Sequence, residues 1–312
     1  MLRTLCLCLI GLVWGTASPA RDIARPGPRA YPESVASGPD GTLYVSNIAE
    51  GGVVRVRPGK PARVWIKPGT FGLRSSLGVL VDARRGLLWV CSNDFSARGM
   101  TNAGEPGSAL KGFDLRSGRG VVSLTLGPAR ATCNDIAVAD DGAVYVTDTA
   151  SPRILRLAPD GDVLAEWVTD PAFQQDGGGL DGIAIGGDGH VYVNTINGGR
   201  FFRIATDGAK PGAITELTLS RPLARPDGMR HETGNQFILA ESTGRLVRIV
   251  ARDRDAIVTT LRDGLDGPAA VALIGRTAWV AEGQLRLLFD PALKGRLPTL
   301  PFRLRGIDLV PE

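Results

Sequence analysis

Histidine is nearly missing from this chain: His190 and His231 are the only two in 312 residues. An imidazole-rich zinc site is excluded with it, because such sites draw several ring nitrogens into one tetrahedron. Charge is sparse as well, at 22% of residues and a net +4. The arginines are scattered among strand and loop signals instead of forming a stripe, which removes the electrostatic footprint of nucleic-acid binding. Beyond the first twenty residues no apolar run is long enough to span a membrane. Cysteine is reduced to four, and Cys6 and Cys8 both fall inside those first twenty residues.

What is present begins with that leader. Residues 1–20 carry Arg3, an apolar stretch from Leu5 to Trp14 and small residues before Ala17 and Ala20, the layout of a secretory signal peptide. Export to a periplasmic or extracellular compartment is expected, with residues 21–30 as a linker and 31–312 as a single domain. Removal of the leader leaves Cys91 and Cys133, for which a bridge and two free buried thiols both fit the residues. The chain is 43% hydrophobic, enough for a substantial core. Its 41 glycines and 21 prolines are spread at turn spacing between aromatics, which argues against disorder.

One phrase then recurs six times: an apolar run, a tight turn ending in Gly, and a second run of strand-compatible residues. The turn glycines are Gly41, Gly86, Gly142, Gly189, Gly234 and Gly275, roughly 41 to 56 residues apart, against about 40 to 50 in known propeller repeats. After them come triplets such as Leu43-Tyr44-Val45, Leu88-Trp89-Val90 and Val191-Tyr192-Val193, which suit buried strands. Asp40-Gly41, Asp141-Gly142 and Asp188-Gly189 supply the positive φ of a short hairpin. A third strand follows in most units, and fainter fourth strands are expected at 62–66, 163–168, 214–219 and 257–261. Four strands per unit make a blade. The predicted fold is all-β: a six-bladed β-propeller around a central channel.

The first residues of each innermost strand then fall at one mouth of the channel. Those positions hold Glu33, Asn134, Asp181 and Asp227, from four different blades. Carboxylates crowded near one axis repel unless a cation neutralises them. Oxygen-only donors suit a hard cation, and the flexible shell of Ca2+, with about six to eight oxygens, matches ligands drawn from separate loops. Asp and Asn before Gly are also ordinary turn formers, but Glu33 is no turn former and Asn134 is not followed by Gly. A shared divalent site is the reading of these four.

The four positions within six such repeats resemble the senescence marker protein (regucalcin) and gluconolactonase family over nearly all of the chain after the leader. The resemblance rests on Pro226-Asp227-Gly228, on Glu33 near the start of the first repeat, on Cys133-Asn134-Asp135, on Leu180-Asp181-Gly182, and on the loop Asn197-Gly198-Gly199-Arg200. It implies a divalent cation held by Glu33, Asn134, Asp181 and Asp227, and hydrolysis of a small-molecule lactone or related ester. In such a reaction Asp227 positions or deprotonates water, with Asp135 a second candidate for that role. Substrate contacts are expected from the second-strand ends Asn47, Asn93, Asp148, Asn194 and Glu241. The long insertion between Ser92 and Ala109 reads equally as a lid or as a surface loop. A rival from another class is a non-catalytic periplasmic platform for ligand or protein binding, with a structural metal. Oligomeric state is not encoded in these patterns.

Overall fold

In a computed structural model of the chain, described over residues 21–309 apart from 26, 128, 129, 175 and 177, six antiparallel sheets form six blades. The leader lies outside the described residues. Blade three shows the pattern: Cys133–Val138 innermost, then Val144–Asp148, Arg153–Leu157 and Leu164–Thr169. The architecture is a six-bladed propeller of four-stranded blades, as the repeat demands. Among the described residues no helix is long and apolar enough to cross a membrane.

All six turn glycines adopt positive φ, from 51° at Gly234 to 92° at Gly142, the region that only a residue without Cβ enters freely. The triplets behind them fill the spaces between blades. Tyr192, Phe201 and Phe237, from two neighbouring blades, pack with ring centroids 4.7 to 5.9 Å apart.

Two boundaries differ from expectation. The fourth strand of blade four runs Lys210–Glu216, earlier than 214–219, because Gly208 at φ 58° makes a tight turn directly after the third strand. Thr218–Leu219 instead crosses to blade five, where it pairs in parallel with Asp255 and Ala256. The segment expected as a linker is also structured: Arg21–Arg25 is the outermost strand of blade six, paired with Phe302–Asp308. The ring is therefore closed by pairing the first and last described strands in one sheet.

Cys91 and Cys133, the pair left open above, form a disulfide with a Cα separation of 5.1 Å. It ties the second strand of blade two to the innermost strand of blade three.

Candidate metal and ester site

The innermost strands begin with an irregularity. Register shifts fall between Ser76 and Val79, Cys133 and Ile136, Leu180 and Ile183, and Pro226 and Met229. A β-bulge re-aims the side chains it carries. Asn134, Asp181 and Asp227 take the first bulge position in their blades, and Glu33 precedes the first strand of blade one, Val35–Ser37. Gly182 and Gly228, which follow two of these acids, do not have the positive φ of a turn. They admit close packing instead: a Cβ on Gly182 would come within 2.6 Å of the Asp227 carbonyl, and one on Gly228 within 2.9 Å of Ala270. Each Asp-Gly pair is thus a strand-crowding device, and the turn-former reading of these two aspartates fails.

Glu33, Asn134, Asp181 and Asp227 are all buried and all line one cavity of about 780 Å³. Two are set by unusual backbone. Tyr31 (φ 44°) and Arg225 (φ 53°) are non-glycine residues in the left-handed region, each directly before the Pro that precedes Glu33 or Asp227. Strain of this kind persists only where the surroundings enforce it, and it gathers at functional sites.

The site is electrostatically unfinished. The Asn134 amide donates to Thr149 Oγ1 (2.6 Å) and to Asp181 Oδ2 (3.2 Å). Among the described residues, Glu33 Oε2, Asn134 Oδ1 and Asp181 Oδ1 are buried with no hydrogen-bond partner, a condition that costs free energy unless a donor or cation satisfies it. Burial, followed by repulsion from Asp135, pushes Asp181 up to about 7. Glu33 is held well above the carboxylate range by burial and then by Asp181 and Asp135. Asp227 is raised likewise, by burial and then by Asp181 and Glu33, although the Gly228 N–H donates to its Oδ1 at 3.0 Å. Among the described residues no group of three or more His, Cys, Asp or Glu is placed so that it could hold a metal ion. Three carboxylates and an amide oxygen nevertheless match the donor chemistry of a hard divalent cation, and three of their oxygens lack partners. The set fits such an ion.

The remaining expectations fare differently. Asp135 does not line the cavity. It takes the second bulge position, one residue past Asn134, where its carboxylate accepts from Arg230 Nη1 (2.9 and 3.1 Å) and from the Ile183 N–H (3.2 Å). A carboxylate so engaged is not available to reacting atoms. Nor do the second-strand ends line the cavity; their side chains bond loops or the innermost strand of the next blade. Asn47 bonds Glu50, Asn93 bonds both backbone groups of Cys133, and Asp148 accepts from Thr132, Ala150 and Arg153. Asn194 donates to the Asp227 carbonyl at 2.9 Å, and Glu241 takes Arg221, Arg245 and the Ala224 N–H. Blade six repeats the device with Glu282, which accepts from the Asp266 N–H and pairs with Arg305. A polar residue at this recurring position ties its strand to a loop or to the next blade. His190 lies in a hairpin turn outside the cavity, its N–H donating to Asp188.

Sequence reasoning missed the walls. The blade-two insertion does reach the mouth, through Phe95 and Arg98, but a second insertion in blade six contributes Leu285, Arg286 and Phe289. Its short helix, Arg286–Phe289, carries no repeat signal. Its apolar residues opposite the Phe95 insertion were the available hint.

Comparisons with known proteins bear on the fold. No protein-family model matches the chain, and no curated protein matches it either. Among solved structures, the chain is similar to a gluconolactonase from Xanthomonas campestris, with a TM-score of 0.65 at 17% identity over 92% of this chain and 89% of that one. It is also similar to virginiamycin B lyase from Staphylococcus aureus, with a TM-score of 0.61 at 15% identity over 94% and 99%. A PQQ-bound aldose sugar dehydrogenase from Streptomyces coelicolor has a TM-score of 0.61 at 14% identity over 93% and 98%. Identities this low establish the propeller and nothing finer, and the different chemistries of these neighbours show that the fold alone does not select one.

Proposed function

We propose that this protein is an exported, calcium-dependent hydrolase that opens a lactone or related ester at the channel mouth. The observation that carries the reading is the set of three partnerless buried oxygens on Glu33, Asn134 and Asp181 around one cavity. The likeness to a gluconolactonase fold is consistent with it. The Cys91–Cys133 bridge supports export, since such bonds persist in oxidising compartments.

When bound, the cation would polarise the ester carbonyl and stabilise negative charge developing on its oxygen, a contribution of several kcal/mol. Glu33, Asn134 and Asp181 would hold it. Burial, with Asp181 and Glu33 nearby, favours the protonated form of Asp227 in the absence of a cation. Once that proton is displaced, Asp227 becomes a carboxylate fixed by the Gly228 N–H. It would then orient water, take its proton as the hydroxyl adds to the carbonyl, and return that proton to the departing alkoxide oxygen as the ester C–O bond breaks.

The test is hydrolysis of a lactone panel with calcium and with EDTA. Turnover should require calcium and vanish in Asp227→Ala. Undiminished turnover in EDTA, or in that variant, removes the mechanism. The platform reading is favoured by one observation, that the expected second-strand substrate contacts bond loops and neighbouring strands instead of lining the cavity. Calcium-dependent melting with no turnover across the panel would decide for it.

A further inference from the structure

The walls and rim of the cavity say more about the ligand than its floor does. Phe95 and Phe289, from the insertions of blades two and six, meet edge-on with centroids 5.8 Å apart, and Ile48, Leu77 and Leu285 extend the apolar surface. A polyol placed against the Phe95–Phe289 face would leave hydroxyls without partners there, at a cost to affinity, although Thr132, Gln174, Asn197 and Ser242 line other parts of the cavity. The same cavity is lined by Arg98, Arg130, Arg225 and Arg286 and, beyond Glu33, Asp181 and Asp227, by one further carboxylate, Asp290. Two of these guanidiniums are engaged: Arg286 with Asp290 at 2.7 Å, and Arg225 with the Asn197 amide oxygen at 3.0 Å. Among the described residues no carboxylate pairs with Arg98 or Arg130. The Arg98 guanidinium lies 5.3 Å from the Phe289 ring centroid, which places positive charge beside the aromatic wall.

We infer that the ligand of this cavity has an apolar, ring-sized body and an anionic group held by Arg98 and Arg130, away from the reacting ester. This rests on the hydrolase reading and deepens it. It assigns the site to amphiphilic acids and their esters, and sets it against sugar lactones. A rim rich in unpaired guanidinium also draws anions toward the mouth before contact.

Isothermal titration of the purified protein separates the parts, with three probes: 4-phenylbutanoate, 4-phenylbutan-1-ol and gluconate, each with calcium and with EDTA. The expected result is binding of 4-phenylbutanoate at least about tenfold tighter than either other probe, retained in EDTA. Phe95→Ala should weaken both phenyl probes by about tenfold and leave gluconate unchanged. Arg98→Ser should weaken 4-phenylbutanoate and leave 4-phenylbutan-1-ol unchanged. Gluconate binding as tightly as 4-phenylbutanoate overturns the inference. So does phenylbutanoate binding that is abolished by EDTA and indifferent to Arg98→Ser, because its carboxylate would then sit on the metal. No turnover is read, so the two readings fail separately: this binding order without esterase activity sinks the hydrolase alone, and calcium-dependent hydrolysis with gluconate preferred sinks the inference alone.

Discussion

Arg230 reaches across the central channel to Asp135, 95 residues away, and grips both of its carboxylate oxygens, at 2.9 and 3.1 Å. The same guanidinium also donates to the Val79 carbonyl at 3.1 Å, so it joins blades two, three and five at the axis. Both partners are largely buried. Removal of one member of such a pair strands the other charge, whereas replacing both with apolar groups does not. Arg230→Leu should therefore cost about 3–5 kcal/mol in chemical denaturation, and the double variant Asp135→Leu/Arg230→Leu should recover part of that loss, the rest reflecting the Ile183 N–H and the Val79 carbonyl left without partners. Equal loss in the single and double variants would contradict the pairing.

The loop anchors give a second expectation. Asp148 is fully buried and accepts from the Thr132 N–H at 2.8 Å, the Ala150 N–H at 3.1 Å and Arg153 Nε at 3.0 Å. Asp148→Ala leaves those donors without their acceptor, a loss of about 3 kcal/mol. The KM for any ester the protein hydrolyses should stay within about twofold of the parent value, since Asp148 does not line the cavity. A large KM change in a variant of unaltered melting would restore it as a substrate contact.

How much of this was legible depended on whether a residue type has one structural meaning or several. Gly41 and its five counterparts were readable because a tight hairpin admits little else at positive φ. Asp181-Gly182 was ambiguous: the same dipeptide makes a turn or a bulge, and only the neighbouring strand, with the Asp227 carbonyl against Gly182, decides. The second-strand ends misled because Asn, Asp and Glu serve loop anchoring and ligand contact with the same atoms. Ring closure was hidden because the strand Arg21–Arg25 is short and charged, and its partner lies at the other end of the chain: Asp22 meets Arg303 at 3.1 Å across 281 residues. The wall at Phe289 was unreadable because its insertion breaks the repeat.

The disulfide offers a test of stability that is independent of the site. It closes a loop spanning 42 residues, for which the chain-entropy account gives about 4 kcal/mol. Replacement of both cysteines by alanine should lower the melting midpoint by roughly 5–10 °C. Cys133 adjoins Asn134, and Asn93 bonds both backbone groups of Cys133. Calcium titration of the variant should thus show weakened affinity as well as the lower midpoint. An unchanged midpoint, in non-reducing conditions, would mean that the bridge contributes nothing to the folded state.

The raised carboxylates fix how stability should depend on pH in the absence of metal. Asp181 stands at about 7 in the folded protein against an ordinary 3.8, and Glu33 and Asp227 are raised in the same direction. Between those values the folded state keeps protons that the unfolded chain has released, so stability falls as pH rises from about 4 through about 7. A bound cation displaces the protons and cancels the repulsion. Protein treated with EDTA should melt highest near the acid end of that window and lose its midpoint steadily toward about pH 8, while saturating calcium should restore it there. The variant Glu33→Gln separates repulsion from general loosening, because it deletes one of the opposing charges and one ligand together. Its metal-free midpoint at about pH 8 should exceed that of the parent, and its gain from calcium should be smaller. Differential scanning fluorimetry across this range reads both quantities, and a pH-independent midpoint in EDTA would show that these carboxylates do not oppose one another in the folded protein.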